Sequence, residues 1–323
     1  MDVRIIRYEN KYKEKLKGYI HKTHPLFSHA YVDYVIENAS SKIDDHHSFL
    51  VVDSNDSIVG THMLYNTQAL ICGKCVNTAW GHDTYLDEDL RHTFGLDFVI
   101  EINSEGHFGI GLSDVNRKLH KKMKSTSWDN LVNYCYPTCS LPLSLLLRPK
   151  SIKRKKEIAT KHGSFVLCES AELLNIPNIG FWNKGFCDID FIRNADFLKK
   201  RFLSNKVHPY LLYQLEGEYC YFVVRYVVFK HVPTLFLVDY RYDRNKEEQL
   251  SLIFKTVNVL AKHSNMGFVL LMSSDSNTDS FLSKKRFLLK RSTDFIASKC
   301  LGLSNNMTSF VTAADSDADF IRG

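Results

Sequence analysis

Paired cysteines, clustered bases and a histidine among lysines are the residues here whose spacing bears on chemistry. Cys72-Gly73-Lys74-Cys75 precedes Cys135 and Cys139, and two close thiolate pairs are what a tetrahedral zinc ion takes. The first pair nevertheless brackets Gly73-Lys74 between alternating apolar residues, the pattern of a hairpin turn, and the second flanks Pro137. No metal is assigned, and whether Cys72, Cys75, Cys135 and Cys139 approach one another is a question for the fold. Eight cysteines in a chain of this size read as small buried hydrophobes or free thiols of a reducing compartment, not as a disulfide framework. Residues 148–156 hold six basic side chains in nine, and Arg117, Lys118, Lys121 and Lys122 form a second basic cluster. Such clusters are solvated linkers or faces unless a phosphate meets them. His120 sits inside the second cluster. With an ordinary pKa of about 6.5 it either exchanges a proton near neutrality or is a plain surface residue of a basic helix.

The elements that must hold these residues follow from length and periodicity. The 323 residues suffice for about two domains. A hydrophobic content of 44%, a charged content of 24%, 15 Gly and 7 Pro exclude collagen-like, coiled-coil and wholly disordered chains. The net charge of +6 suits an anionic ligand but is too dilute to imply a nucleic acid. The first residues lack the apolar core of a signal peptide, and no stretch approaches the ~20 apolar residues of a membrane span. The expectation is a cytoplasmic protein without membrane insertion.

Residues 11–39 predict two helices broken at His24-Pro25, and residues 49–65 an antiparallel hairpin turning at 54–57. A strand then runs from the Gly73-Lys74 turn through Trp80 to Leu86, followed by a helix over 94–102, a short buried strand over 106–112 and a basic helix over 113–123. The pattern dissolves over 141–163, where the domain boundary is placed. Beyond it the sequence predicts helices at 196–202, 247–262 and 280–285, and strands at 210–215, 219–228, 234–240 and 268–273. Residues 303–323 read as a poorly anchored tail. Residues 109–123 and 269–286 match in kind: a strand, Ser and Asp at a helix start, an Asn, an apolar residue, then Lys-Lys. Each follows a helix preceded by a strand ending in Asp and Tyr, as at Asp83 and Tyr85 and at Asp239 and Tyr240. Two copies of one module account for this.

The order hairpin, strand, Trp80-Gly81-His82-Asp83-Thr84-Tyr85, glycine-containing turn, helix, strand, Ser113-initiated helix resembles the GCN5-related N-acetyltransferases. The whole chain resembles the tandem form of that fold, most specifically over residues 49–136. The resemblance implies an α+β fold of two tandem acyl-CoA N-acyltransferase domains, each a mixed, mostly antiparallel sheet flanked by helices. The expected boundaries are 1–147 for an acyl-CoA-binding domain, 148–163 for a basic linker, 164–302 for a degenerate second domain and 303–323 for a flexible tail.

In that family a strand splayed from its neighbour offers its backbone to the pantetheine arm of acyl-CoA, and the next turn cradles the pyrophosphate at a helix N-terminus. The resemblance places Thr84, Tyr85 and Leu86 on the splayed strand. It places Arg91-His92-Thr93-Phe94-Gly95-Leu96 in the cradle and Asn116 at the following helix. This sequence departs from the family's Arg/Gln-x-x-Gly-x-Gly/Ala pattern, because Phe94 and Leu96 stand at the glycine positions. The corresponding stretch of the second half, residues 241–250, has no glycine, so that copy is expected to have lost the cofactor. The relatives' usual proton donor, a tyrosine, falls on His120. Asp83, beside His82, falls where relatives often hold a carboxylate; it would orient or deprotonate the amine, or else serve as a turn or capping residue.

The implied activity is transfer of an acyl group from acetyl-CoA, or another acyl-CoA, to the amine of a small-molecule acceptor. An amino sugar or nucleotide-linked amino sugar of bacterial surface-polysaccharide synthesis is the expected acceptor class. The alternative, suggested by Phe94 and Leu96, is a non-catalytic tandem module with decayed cofactor sites. A third class, transfer of amino acids from charged tRNA, requires a basic channel and a helical arm. The sequence offers neither, nor any RNA-binding motif, so no nucleic-acid partner is expected.

Overall fold

In the computed structural model, which describes residues 2–39, 47–110, 118, 120, 122–182, 185–283 and 287–316, the alternating apolar runs become strands and the spaced ones helices. In chain order these are β1 (Val3–Arg7), α1 (Lys13–Thr23), α2 (His29–Ala39), β2 (Phe49–Asp53), β3 (Ile58–Ile71), β4 (Lys74–Leu86), α3 (Glu88–Arg91), α4 (Gly95–Ile102) and β5 (His107–Ile110). There follow β6 (Thr126–Pro137), α5 (Leu141–Leu146), β7 (Glu157–Thr160), β8 (Gly163–Cys168), β9 (Ile189–Phe191) and α6 (Ala195–Leu198). The remainder are β10 (Tyr210–Leu215), β11 (Tyr221–Phe229), β12 (Val232–Arg241), α7 (Glu247–His263), β13 (Phe268–Ser273), α8 (Ser276–Leu282), β14 (Leu289–Ala297) and β15 (Ser309–Phe310). The helix pair over 11–39, the hairpin of β2 and β3, and the strand reaching Leu86 stand where the periodicity predicts them. Leu16, Tyr19 and Ile20 form the buried face of α1, and the helix stops ahead of Pro25, whose ring disfavours helical backbone before it. The basic helix predicted over 113–123 falls mostly outside the described residues; of it, Lys118, His120 and Lys122 are helical.

The chain forms two compact units. The first comprises Met1–Ala69, Cys75–Trp128 and Asp294–Met307, and the second Leu70–Lys74, Asp129–Thr293 and Thr308–Gly323. In the first unit the strands run in the order β1, β2, β3, β4, β5, β14. β1 and β2 are antiparallel, as are β2 and β3; β5 is parallel to β4, and residues 295–297 of β14 close its far edge antiparallel. An aromatic cluster seals that edge: Phe295 lies 5.6 Å from Trp80, 5.4 Å from Phe108 and 4.8 Å from Trp128 between ring centroids.

The second unit repeats the scheme with antiparallel β10, β11 and β12, a parallel β13 reached through α7, and an antiparallel closing strand from residues 132–137 of β6. α7 lays Leu250, Ile253, Phe254, Val257 and Leu260 into the core. The closing strand of each sheet therefore comes from the distant half of the sequence. This replaces the sequential boundaries expected above: residues 129–147 belong to the second unit and residues 294–307 to the first. Residues 148–163 are not only a linker, because β7 pairs antiparallel with β8.

Residues 309–315 are also anchored, within the stretch 303–323 where a loose tail was expected; residues 317–323 lie outside the described residues. Ser309 and Phe310 pair in parallel with Ile189 and Asp190, and Val311, Ala313, Ala314 and Asp315 are buried. Arg193, wholly buried, donates to Asp239 at 2.9 Å and to Asp315 at 2.5 Å. Arg241 donates to Asp239 at 3.1 Å and to Asp190 at 3.2 Å, and its guanidinium sits 4.2 Å from the centre of the Phe310 ring. Arg201 donates to the carbonyls of Ala314 and Ser316. Buried charges of this kind hold only as a set, since removing one partner strands the others away from water.

Two outcomes test this architecture. A fragment of residues 1–147 lacks the strand that covers β5 and bares Phe108 and Trp80, so it should aggregate or melt without a cooperative transition by circular dichroism; a monomer with a sharp transition would contradict the arrangement. Arg193→Leu strands Asp239 and Asp315 and should cost about 3–5 kcal/mol in urea unfolding, with faster proteolysis after residue 307.

Candidate functional site

In the first unit β4 pairs with β5, among the described residues, at two positions, Ala79 with His107 and Trp80 with Phe108. β4 then runs on from Gly81 to Leu86, and Gly109 and Ile110, the last described residues of β5, do not pair with it. Glycine at 81 is a packing requirement, because a Cβ there would lie 2.8 Å from Cε1 of His62 and 3.0 Å from Cδ2 of His107. Asp83 adopts a φ of 45°, a left-handed backbone that aspartate tolerates better than most residues. Neighbours in a regular strand point to opposite faces, but this twist brings two of them together: His82 Nδ1 lies 2.9 Å from Asp83 Oδ2. The same oxygen accepts from the Tyr31 hydroxyl at 2.9 Å, and Thr61 donates to the Asp83 carbonyl. Burial by itself would raise the pKa of the Asp83 carboxyl; His82 and the Tyr31 hydroxyl outweigh it and hold the group below the usual carboxylate range. Asp83 is thus an ionised carboxylate whose Oδ2 holds the His82 ring.

Behind this pair lies a second histidine. His62 Nδ1 is 2.7 Å from the Thr84 hydroxyl, its ring meets that of His107 edge-on at 5.2 Å, and its Nε2 is buried without a hydrogen-bond partner. Burial, then the fields of His107, His82 and His120, push the His62 pKa well below its ordinary value, so the ring is neutral at physiological pH. His120 is half-buried, with Nδ1 3.3 Å from the Ser125 hydroxyl, which donates to Asn103 at 3.2 Å. Burial lowers its pKa also. His120 and the His82–Asp83 pair therefore belong to one electrostatic neighbourhood around His62.

The remaining residues anticipated for a cofactor divide by environment. The Thr84 side chain is held by His62, and Tyr85 lies under the Arg91 guanidinium, 5.2 Å from the ring centre. Leu86 departs from expectation: its side chain is buried in the core with Phe49 and Val51, and its carbonyl accepts from Arg91 Nε at 2.8 Å, so neither faces a ligand. Phe94 departs likewise, packing on the same core, while Leu96 is 54% exposed. The two bulky residues at the glycine positions thus turn away from the backbone between them. At Gly95 an added Cβ would meet open space. Gly95, Leu96 and Asp97 precede the first i to i−4 bond of α4, Phe98 to Phe94, and no side chain caps the helix. His92 and Thr93 occupy the turn before α4, with Thr93 Oγ1 3.5 Å from the Leu90 carbonyl. Asn116 lies outside the described residues. Cys135 is buried, its thiol pushed up to about 12 by burial, and among the described residues no cluster of His, Cys, Asp or Glu has the arrangement of a metal site.

The equivalent place in the second unit is filled by the protein itself. β12 and β13 pair from Thr234 with Phe268 to Leu237 with Leu271. Two residues further along, Ser273 bridges antiparallel to Thr312, whose hydroxyl donates to Asp239 at 2.7 Å. Residue 312 therefore sits between the two strands at the point where they part. Tyr31, His62 and His107 were absent from the sequence-based site, and no local signal marks them: three distant segments bring them together.

This strand scheme, with a parallel pair that parts beyond its first residues, defines the GCN5-related N-acetyltransferase fold. No protein-family model matches the sequence, and no curated protein sequence does. Solved structures do match. A GCN5-related N-acetyltransferase from Kribbella flavida superposes with a TM-score of 0.61 at 8% identity, covering 91% of this chain and 70% of that one. Saccharomyces cerevisiae N-myristoyltransferase with bound myristoyl-CoA gives 0.56 at 10% identity over 91% and 78%. A putative acetyltransferase from Pyrococcus horikoshii gives 0.51 at 14% identity over 97% and 95%. At such identities the likeness establishes the fold.

Because folded His62 binds a proton less readily than the unfolded chain, whose histidine has a pKa of 6.5, acidification below that value favours unfolding. Urea midpoints should fall between pH 7.5 and pH 5.5, and His62→Gln should flatten that fall by up to about 1.4 kcal/mol per pH unit. An equal slope in the variant would mean that His62 binds its proton as readily folded as unfolded, contrary to the burial-lowered pKa.

Proposed function

We propose that the first unit is an acyl-CoA-dependent N-acyltransferase acting on the amine of a small acceptor. The observation that supports this most is the parting of β4 from β5 after Trp80, with the His82–Asp83 pair at its mouth. The residues fit the cofactor: open space at Gly95, the outward Leu96 and the uncapped start of α4 leave backbone N–H groups for a diphosphate. Thr84, Tyr85, Arg91, His92 and Thr93 would flank it. Bound acyl-CoA supplies an activated thioester.

The chain's own part is proton handling. The His82–Asp83 pair accepts the proton of the acceptor amine as its nitrogen bonds to the acyl carbon, and Asp83 keeps the ring oriented and stabilises the imidazolium. His120 returns a proton to the sulfur as the C–S bond breaks. Its lowered pKa makes the protonated ring a stronger acid, present in smaller amount at neutral pH. The second unit takes no part in cofactor binding, since Thr312 stands between its strands. Amino sugars and nucleotide-linked amino sugars are the first acceptors to assay, followed by a glycine-terminated peptide, given the N-myristoyltransferase likeness.

Isothermal titration with acetyl-CoA and myristoyl-CoA should show binding of at least one. His120→Phe should then lower kcat by about a hundredfold or more and leave cofactor Kd unchanged, and Asp83→Asn should do the same. If no acyl-CoA gives heat or thermal stabilisation, the non-catalytic tandem module is the correct description.

A further inference from the structure

α5 has the reverse of the usual helix surface. Leu141, Leu143, Leu145 and Leu146 are 42%, 50%, 46% and 73% exposed, whereas Ser144 is fully buried. At about 100° per residue, residues 141, 142, 143, 145 and 146 cover an arc of about 200° facing solvent, with Ser144 opposite. The helix is seated by that serine: its carbonyl packs where a Cβ on Gly267 would lie only 2.5 Å away, and its hydroxyl is 3.2 Å from Cys139 Sγ. The leucines are thus presented on a fixed element. Directly after them come Arg148, Lys150, Lys153, Arg154, Lys155 and Lys156, and residues 130–156 contain no Asp or Glu. Of the six bases all but Lys155, which is half-buried, are exposed.

We propose that α5 and residues 148–156 form a docking surface for an anionic lipid bilayer, with the leucines entering the boundary between headgroups and acyl chains and the bases meeting the headgroup phosphates. Neither feature suffices alone. A six-residue helix buries too little apolar surface to hold the protein, and basic residues without apolar anchors give contact that salt screens; stable peripheral attachment takes both signals. A second copy of the chain fits less well, because a self-complementary contact through the leucines brings two unbalanced basic segments together. A polyanion such as RNA would use the bases and leave the leucines in water. The docking is peripheral, since no helix among the described residues is long and apolar enough to cross a membrane. It does not depend on the acyl-transfer proposal.

The full chain should co-sediment with phosphatidylcholine vesicles containing roughly a third phosphatidylglycerol at about 0.15 M salt, and much less with phosphatidylcholine alone. Leu145→Ser with Leu146→Ser should lower the partition constant at least about tenfold, as should Lys153→Glu with Lys156→Glu, with thermal melting unchanged in both. Three results would overturn the proposal: no sedimentation with anionic vesicles, binding that survives the leucine substitutions, or a dimer by light scattering that those substitutions dissolve while vesicles stay unbound.

Discussion

Among the described residues two registered pairs, Ala79 with His107 and Trp80 with Phe108, join β4 to β5, and the candidate site depends on how that short seam is held and where it ends. It is held because Phe295 closes it from the far side, stacking on Phe108 and Trp128 in a cluster that excludes water. It ends at Gly81, where a side chain would strike His62 and His107. Past that point the left-handed Asp83 turns its carboxylate onto its own neighbour's imidazole. A strand that continued its pairing with ordinary alternation would have put His82 and Asp83 on opposite faces and left them apart.

The second unit treats the same seam differently. Its parallel pair parts as well, yet Thr312 bridges to Ser273 and donates to Asp239 at the parting. Arg193 and Arg241 balance the carboxylates there, so that Asp239 stays ionised despite complete burial; burial opposes this, and the two guanidiniums outweigh it. Asp315, with the same arginines near it, is raised, because burial and the Asp239 charge dominate. One copy of the module thus has polar groups gathered beside an open-ended strand, and the other has converted the corresponding polar groups into a clamp for the end of the chain.

The net charge of +6 also resolves into places. Several cations are consumed inside the second unit by carboxylates, where they contribute nothing to the outside field. Residues 148–156 remain exposed, unbalanced by any acid in the preceding stretch, beside leucines that face water. A weak overall charge conceals a concentrated one.

What the sequence determined by itself was local. Period 3.6 in residues 13–23, the apolar runs of β2 and β3 on either side of a polar turn, and the Gly73 turn, whose φ of 79° suits glycine, are fixed by contacts a few residues apart and are legible without a structure. The repeat was legible too, in the matching Ser, Asp, Asn and Lys-Lys of residues 109–123 and 269–286, although most of the first segment lies outside the described residues. Of the candidate site, Asp83 and His82 were visible as neighbours, and His120 by falling where the resembled family carries a tyrosine. Only the tertiary structure decided the rest. That residues 295–297 and 132–137 close each other's half of the sequence, that Leu86 and Phe94 belong to the core, and that Tyr31 and His62 support Asp83 and Thr84 are outcomes of pairing and burial between segments tens to hundreds of residues apart. Such pairing is selected by which edges and apolar faces are left uncovered once the local elements exist, a competition that no local pattern records.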